Sequence, residues 1–205
     1  MTRLLITSGP TREYLDPVRF LSNASSGKMG RALAKAAIAK GWEAVLVSGP
    51  VAIEYPPEIE LYHVVSTAEM LKQTLRLFPD CDAVIGAAAP CDYKPKIFSE
   101  KKLSKFDFSG CMEFAETPDI LAALGKIKRS NQTIVAFALE THDAQNRAML
   151  KMERKNADYI VLNGPNAINA EETKIELYCR SENSFSPFSG RKDEIAEFIL
   201  EKIFS

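Results

Sequence analysis

The stretch RLLITSGPTREYLDPVRFLSNASSGKMGRALAKAAIAKGWEAVLVS, residues 3–48, reads in order as a strand, a long loop, a helix and a second strand. Residues 3–8 are almost continuously apolar, the pattern of a strand covered on both faces, and residues 43–48 repeat it. Between them, residues 27–40 place Met29, Ala32, Leu33, Ala36 and Ala37 on one helical stripe. Arg31, Lys35 and Lys40 lie outside that stripe, and Gly41 follows as a C-terminal cap. Such a strand–helix–strand unit is the building block of a parallel sheet.

Further along, residues 83–88, 133–138 and 159–163 read as three more buried strands. Helical patterns over 67–78, 118–129 and 141–155 separate or follow them, the second opening with Thr117 as N-cap and Pro118 at the first helical position. The expected architecture is therefore α/β: a Rossmann-like three-layer sandwich with a mostly parallel sheet and helices on both faces. Its ligand crevice should lie off the carboxyl ends of the strands. Residues 174–179 and 185–188 predict a C-terminal hairpin-like extension, and 191–204 a closing helix. The irregular stretches 9–26 and 89–116 follow the first and third strands, where loops of that length are usually functional.

With 205 residues the chain has room for one well-buried domain, 1–205. Lys+Arg 26 against Asp+Glu 27 leaves a net charge of -1, which lacks the basic excess of a general nucleic-acid binder. No apolar run approaches the roughly 20 residues that span a bilayer, and Ser8, Gly9 and Pro10 stop the N-terminal run short of a signal segment. The expectation is a cytoplasmic protein without membrane contact. Its cysteines, at 81, 91, 111 and 179, have no metal-ligand spacing and are expected to be reduced thiols.

Three clusters could carry chemistry. Ser25, Ser26, Gly27 and Lys28 precede the first helix, whose free N–H groups and positive dipole end suit a phosphate; they could equally serve only as a cap, with Ser26 the N-cap. The Walker pattern fails, because Ser22 and Met29 stand where it needs Gly and Ser or Thr. A nicotinamide fingerprint fails too, as does the Tyr-x-x-x-Lys pair of short-chain reductases, since Ile97 takes the lysine's place. In the second cluster, small residues at 87–89 allow a flat ring or ribose to approach the backbone, Asp92 can accept from hydroxyls, and Lys101, Lys102 and Lys105 supply mobile charge. Cys91 has no histidine near it in sequence and reads as a small packed hydrophobe. Third, Phe137 to Thr141 close a strand, and Lys151 and Lys155 share a face of the next helix, where they repel unless an anion lies between them; as a bare charge run they could equally form a solvated face.

Six ordered motifs resemble phosphopantothenoylcysteine synthetases: DPVRFLSNASSGKMG at 16–30, AAAPCDYKP at 87–95, the lysines at 102–105, TPDIL at 117–121, FALET at 137–141, and Lys151, Lys155 and Asp158 with Asn163. The resemblance implies a ligase that activates 4'-phosphopantothenate with a nucleoside triphosphate and then joins it to L-cysteine. It implies CTP in bacterial members and ATP in animal ones, Mg2+ on the phosphates, and a homodimer with shared sites. Because the chain begins at the family's first strand, it is expected to be the stand-alone form. By motif, Asn23 would orient the acyl-nucleotide, Arg19 would hold substrate, and Ser26, Gly27 and Lys28 would bind it. Lys102 would stabilise the α-phosphate. Gly86, Ala87, Ala88 and Asp92 would line base and ribose. Pro118, Asp119, Ile120, Leu121 and Phe137 would shape the pocket, with Lys151 and Lys155 on the triphosphate. This chain departs from the pattern at Ser104, which replaces a lysine and leaves Lys101 open as the catalytic group beside the favoured Lys102. It also departs at Pro90-Cys91 and at Gly164 after Asn163. A non-catalytic nucleotide sensor is the alternative, disfavoured by the intact Asn23, Asp92 and lysines.

Overall fold

The computed structural model describes residues 2–105, 110–140, 142–164 and 172–204. Strand β1 (Arg3–Ser8) leads into a hairpin, β2 (Arg12–Tyr14) and β3 (Phe20–Ser22), then α1 (Lys28–Ala39), β4 (Glu43–Ser48), β5 (Glu60–His63) and α2 (Thr67–Leu77). After β6 (Ala83–Gly86) comes a second hairpin, β7 (Tyr93–Pro95) and β8 (Phe114–Glu116), followed by α3 (Ile120–Ile127) and β9 (Thr133–Leu139). The chain continues through α4 (Ala144–Lys155), β10 (Tyr159–Asn163), β11 (Glu172–Cys179), β12 (Ser184–Arg191) and α5 (Lys192–Ile203).

Among the described residues the main sheet runs β12-β11-β10-β9-β6-β1-β4-β5. Pairing is parallel from β10 across to β5, while β11 and β12 add antiparallel strands at one edge. The winding starts at β1, moves outward through β4 to β5, and returns to β1's other side as β6. This is the Rossmann-like order, and its reversal lies between β1 and β6. Side chains alternate between two cores, as strand geometry requires. Leu4, Ile6, Ile85 and Val135 meet Leu33 of α1 and Ile195 and Ile199 of α5; Leu5, Val84, Ile134 and Ile160 meet Met70, Leu124 and Met152 of α2, α3 and α4. Burial on both faces explains why these strands read as unbroken apolar runs.

Several expectations need correction. The strand expected over 83–88 ends at Gly86, because the chain turns and the Ala88 N–H donates to Thr7 Oγ1 at 3.3 Å. Helix α3 is capped by Asp119, whose carboxylate accepts from the Ala122 N–H at 3.1 Å, and not by Thr117. Thr117 instead donates its N–H to the Asp92 carbonyl and its hydroxyl to the Cys91 carbonyl. At α1 the N-cap is Gly27 with no side-chain cap bond, so Ser26 does not fill that role. The fourth helix begins at Ala144, and Thr141 lies outside the described residues. Each stretch expected to be irregular contains a short hairpin, and β5 is an edge strand that the sequence reading lacked.

Helix α1 sits close on β1. A Cβ on Gly30 would stand 2.1 Å from Ser8 Oγ and 2.4 Å from Ser8 Cβ, with Ser8 itself buried. Gly30→Ala gains about 1 kcal/mol of helix propensity. Overpacking costs about 1–3 kcal/mol, and here the helix must shift to relieve it. The variant is expected to unfold at lower urea concentration than the parent; an unchanged or higher midpoint would refute the close-packing argument.

Candidate functional site

The reversal between β1 and β6 opens a crevice of about 900 Å3 at the carboxyl edge of the sheet. Both hairpins leave from the strands that flank it, and β2 lies against β7. The loops are bonded to each other along their length. Ala89 N–H donates to Gly9 O at 2.9 Å, and Cys91 N–H to Thr11 Oγ1 at 2.8 Å. Asn23 Nδ2 donates to Pro90 O at 2.8 Å and Ala89 O at 3.3 Å, which ties the approach to α1 to the loop after β6. Asn23 is otherwise exposed on the crevice wall.

The N-terminus of α1 forms one end of the wall. Gly27 has φ 74, and a Cβ there would stand 2.8 Å from the Tyr55 hydroxyl, so the position is reserved for glycine by conformation and by space. Tyr55 donates to Ser8 Oγ at 2.8 Å, and Ser8 Oγ donates to the Gly27 carbonyl at 3.3 Å. The turn is thus held from below. Without a capping side chain, the first-turn N–H groups of α1 are left for an anion. Ser26, Gly27 and Lys28 line the crevice, and so does Lys192 at the start of α5. Burial, then the nearby Lys28 charge, lowers the Lys192 ammonium below its ordinary pKa. Nothing local in the sequence marks Lys192, because its place on the crevice wall arises only when α5 packs beside α1.

Gly86, Ala87, Ala88 and Asp92 line the middle of the crevice, with Leu121 packed over Gly86. Cys91 is buried, and desolvation raises its thiol pKa, as suits a packed group and not a nucleophile. Pro118, Asp119, Ile120, Leu121 and Phe137 complete this side. Asn163 also lines the crevice, and its buried Oδ1 has no hydrogen-bond partner among the described residues, so an acceptor is left there for a ligand donor.

The cationic wall is more structured than the sequence implied. Lys155 Nζ lies 2.6 and 2.7 Å from the two oxygens of Asp119, with Arg154 Nη2 at 3.2 Å. Lys151 Nζ lies 2.5 Å from Glu140 Oε1, and Arg147 Nε 2.6 Å from Oε2. Desolvation would raise both carboxyl pKa values, but the cations outweigh it and hold them below the usual range. The repulsion expected between Lys151 and Lys155 is therefore relieved by the protein's own carboxylates. Of these groups Lys151, Arg154 and Lys155 line the crevice together with Asp119, so the α4 side of the wall carries more cations than carboxylates.

Arg19 and Lys102 stand outside the residues that line the crevice. The Arg19 guanidinium is engaged with Asp16 and with the Leu103 carbonyl, and Lys102 is exposed on the loop after β7.

Residues 1–205 match the family described as the DNA/pantothenate metabolism flavoprotein C-terminal domain. The chain is 43% identical over 168 residues to the coenzyme A biosynthesis bifunctional protein CoaBC of Bacillus subtilis (strain 168), covering 82% of this chain and 41% of that protein. It is 42% identical over 208 residues to a protein of an unknown prokaryotic organism named cysteine/cysteine sulfinic acid decarboxylase, covering 99% of this chain and 58% of the relative. The chain thus spans about half the length of the curated relatives it matches. Among solved structures, the C-terminal domain of a CoaBC protein superposes with a TM-score of 0.85 at 36% identity, over 98% of this chain and 93% of that one.

Proposed function

The chain belongs to the DNA/pantothenate metabolism flavoprotein C-terminal domain family, and on that footing we propose that it is a phosphopantothenate–cysteine ligase of coenzyme A biosynthesis. A carboxylate oxygen of 4'-phosphopantothenate attacks the α-phosphorus of the triphosphate, and pyrophosphate leaves. The cysteine amine then attacks the acyl carbon, losing a proton, and the nucleoside monophosphate departs with the bonding electrons. CTP is the proposed triphosphate, as the resemblance to bacterial family members implies, with ATP as the alternative. The reaction would run in the cytoplasm on one nucleotide-binding unit.

The observation that carries this reading is the crevice itself. It places an uncapped helix N-terminus, an amide from Asn23 and a cationic wall around one space large enough for a nucleotide and an acyl chain. In this reading Ser26, Gly27 and Lys28 hold a phosphate, and Asn23 orients the acyl group with its free amide oxygen. The Gly86–Asp92 loop takes base and ribose, and Lys151 and Lys155 attract the triphosphate while their carboxylates fix their direction. Mg2+ is proposed to arrive on the triphosphate, held mainly by phosphate oxygens, which suit that hard cation. When bound, that ion would neutralise phosphate charge.

The test is to mix the protein with CTP, Mg2+, phosphopantothenate and cysteine. Pyrophosphate should require phosphopantothenate, and CMP release should require cysteine as well. A parallel arm with ATP compares the two triphosphates. Carbon dioxide from cysteine or its sulfinate without nucleotide would favour the activity named for the 42% relative. Binding of CTP with no CMP formed would favour a sensor.

We also propose a homodimer built on the two hairpin arms. Val18 and Phe20 on the β2–β3 arm, and Tyr93, Ile97, Phe98 and Phe114 on or beside the β7–β8 arm, are all exposed, Ile97 at 79%. Folded monomers rarely leave such apolar side chains together in water. Replacing Ile97 and Phe98 by Asp is expected to convert a dimeric mass in light scattering to a monomeric one and to lower turnover on the order of tenfold or more. A parent protein that is monomeric at working concentration would refute this.

A further inference from the structure

The turn between β2 and β3 contains a buried carboxylate whose bonds extend beyond its own turn. Asp16 is fully buried. Its Oδ1 accepts the N–H groups of Val18 and Arg19, each at 2.8 Å, which is all that closing a short Asp-Pro turn requires. Oδ2 accepts a third N–H, from Leu103 at 3.1 Å, and lies 3.4 Å from Arg19 Nη1. Arg19 Nη2 in turn donates to the Leu103 carbonyl at 2.8 Å. The N–H of the peptide that joins Lys102 to Leu103 is thus held by Asp16, and the next carbonyl by Arg19. Upstream, Ser99 N–H donates to the Leu15 carbonyl at 2.9 Å, and Ser99 Oγ to the Lys101 carbonyl at 2.6 Å. Lys101 and Lys102 therefore sit on a short bridge whose two ends are fastened to the same turn.

We propose that Asp16 is a positioning residue: with Arg19 it fixes the backbone around Lys102, so that an otherwise exposed ammonium is presented from a rigid base. The inference rests on the ligase reading, in which Lys102 acts on the α-phosphate. A long lysine on a loose loop samples many directions, and small misplacements of a charged group cost rate steeply. Two adjacent peptide groups held by an ion pair remove the backbone part of that freedom. The turn's own closure does not call for the contacts to Leu103. They are made to residue 103 from positions 16 and 19, at the cost of burying a carboxylate that then needs its N–H donors and guanidinium. The Asp16 carboxyl lies below its ordinary pKa: burial alone would raise it, and the three N–H donors and Arg19 outweigh that.

The test is a double-mutant cycle on the first step, read as pyrophosphate release from CTP and phosphopantothenate. Asp16→Asn keeps the volume but cannot present two anionic oxygens, so the Leu103 N–H loses its acceptor. It is expected to lower kcat about 10- to 100-fold, leave KM for CTP nearly unchanged, and speed hydrogen exchange at the Leu103 amide. In a Lys102→Gln background the same substitution should have little further effect, because it acts through Lys102. Additive losses, or a kcat within twofold of the parent, would overturn the proposal. Arg19→Gln runs the same cycle if Asp16→Asn does not fold. A parent protein that releases no pyrophosphate refutes the ligase reading instead; the Leu103 exchange rate then decides whether the clamp exists.

Discussion

Lys102→Gln is expected to abolish most of the first half-reaction while leaving the protein folded. The side chain is exposed on the loop after β7, so its removal costs little stability. Its proposed contribution arises as charge gathers on the α-phosphate, where a lost donor typically costs roughly 2–4 kcal/mol, or about 30- to 1000-fold in rate. Glutamine keeps a donor and most of the length but loses the charge. Pyrophosphate release in a single turnover should therefore fall by that factor, with triphosphate affinity changed much less. Lys101→Gln serves as the comparison, since the two lysines are adjacent on the same bridge. If Lys101→Gln carries the loss and Lys102→Gln does not, the assignment moves by one residue. If neither changes the burst, no lysine on this bridge acts on the phosphate.

Asn23→Asp is expected to separate the two half-reactions. Asn23 donates from Nδ2 to the Pro90 and Ala89 carbonyls, and in the proposed reading its amide oxygen orients the acyl chain. An aspartate would set an anionic oxygen against those two carbonyls, lose both hydrogen bonds and add repulsion. Losing such contacts and leaving their partners unsatisfied costs about 1–3 kcal/mol. The loop after β6 would loosen against α1 while the phosphate end of the crevice, built on Gly27 and Lys28, remains. The variant should still release pyrophosphate, accumulate an acyl-nucleotide detectable by mass spectrometry, and form amide about 10- to 100-fold more slowly. Equal losses in both steps would mean that Asn23 serves the loop's structure and not the second step. Full turnover would remove it from the site.

The parts of the fold legible in the sequence were those whose local pattern equals their environment. Strands β1, β4 and β10 match the expected residues end to end, because both faces of their central positions are covered and those positions form nearly continuous apolar runs. Strands β2, β3, β7 and β8 span three residues each, and β5 is an edge strand of four; such short, mixed segments show neither an apolar run nor a clean alternation. The α3 cap was misplaced because Thr117-Pro118 is a good start signal in isolation. In the fold, Thr117 bonds back to the Asp92 and Cys91 carbonyls, and Asp119 is free to cap.

For the candidate site, residue types and their order along the chain were enough to bring the α1 N-terminus and the loop after β6 to one crevice edge, because strand order in a doubly wound sheet dictates where carboxyl ends gather, while the helical lysines joined them only through the family resemblance. Partners were another matter. That Lys155 meets Asp119 and that Arg19 reaches Leu103 depends on elements far apart in sequence converging within a few ångströms, and Lys151 meets Glu140 only because α4 folds back beside the end of β9. Periodicity carries information about which face of an element is dry, and a linear pattern holds that locally. Charge pairing depends on distance in space, which exists only after the helices have packed on the sheet.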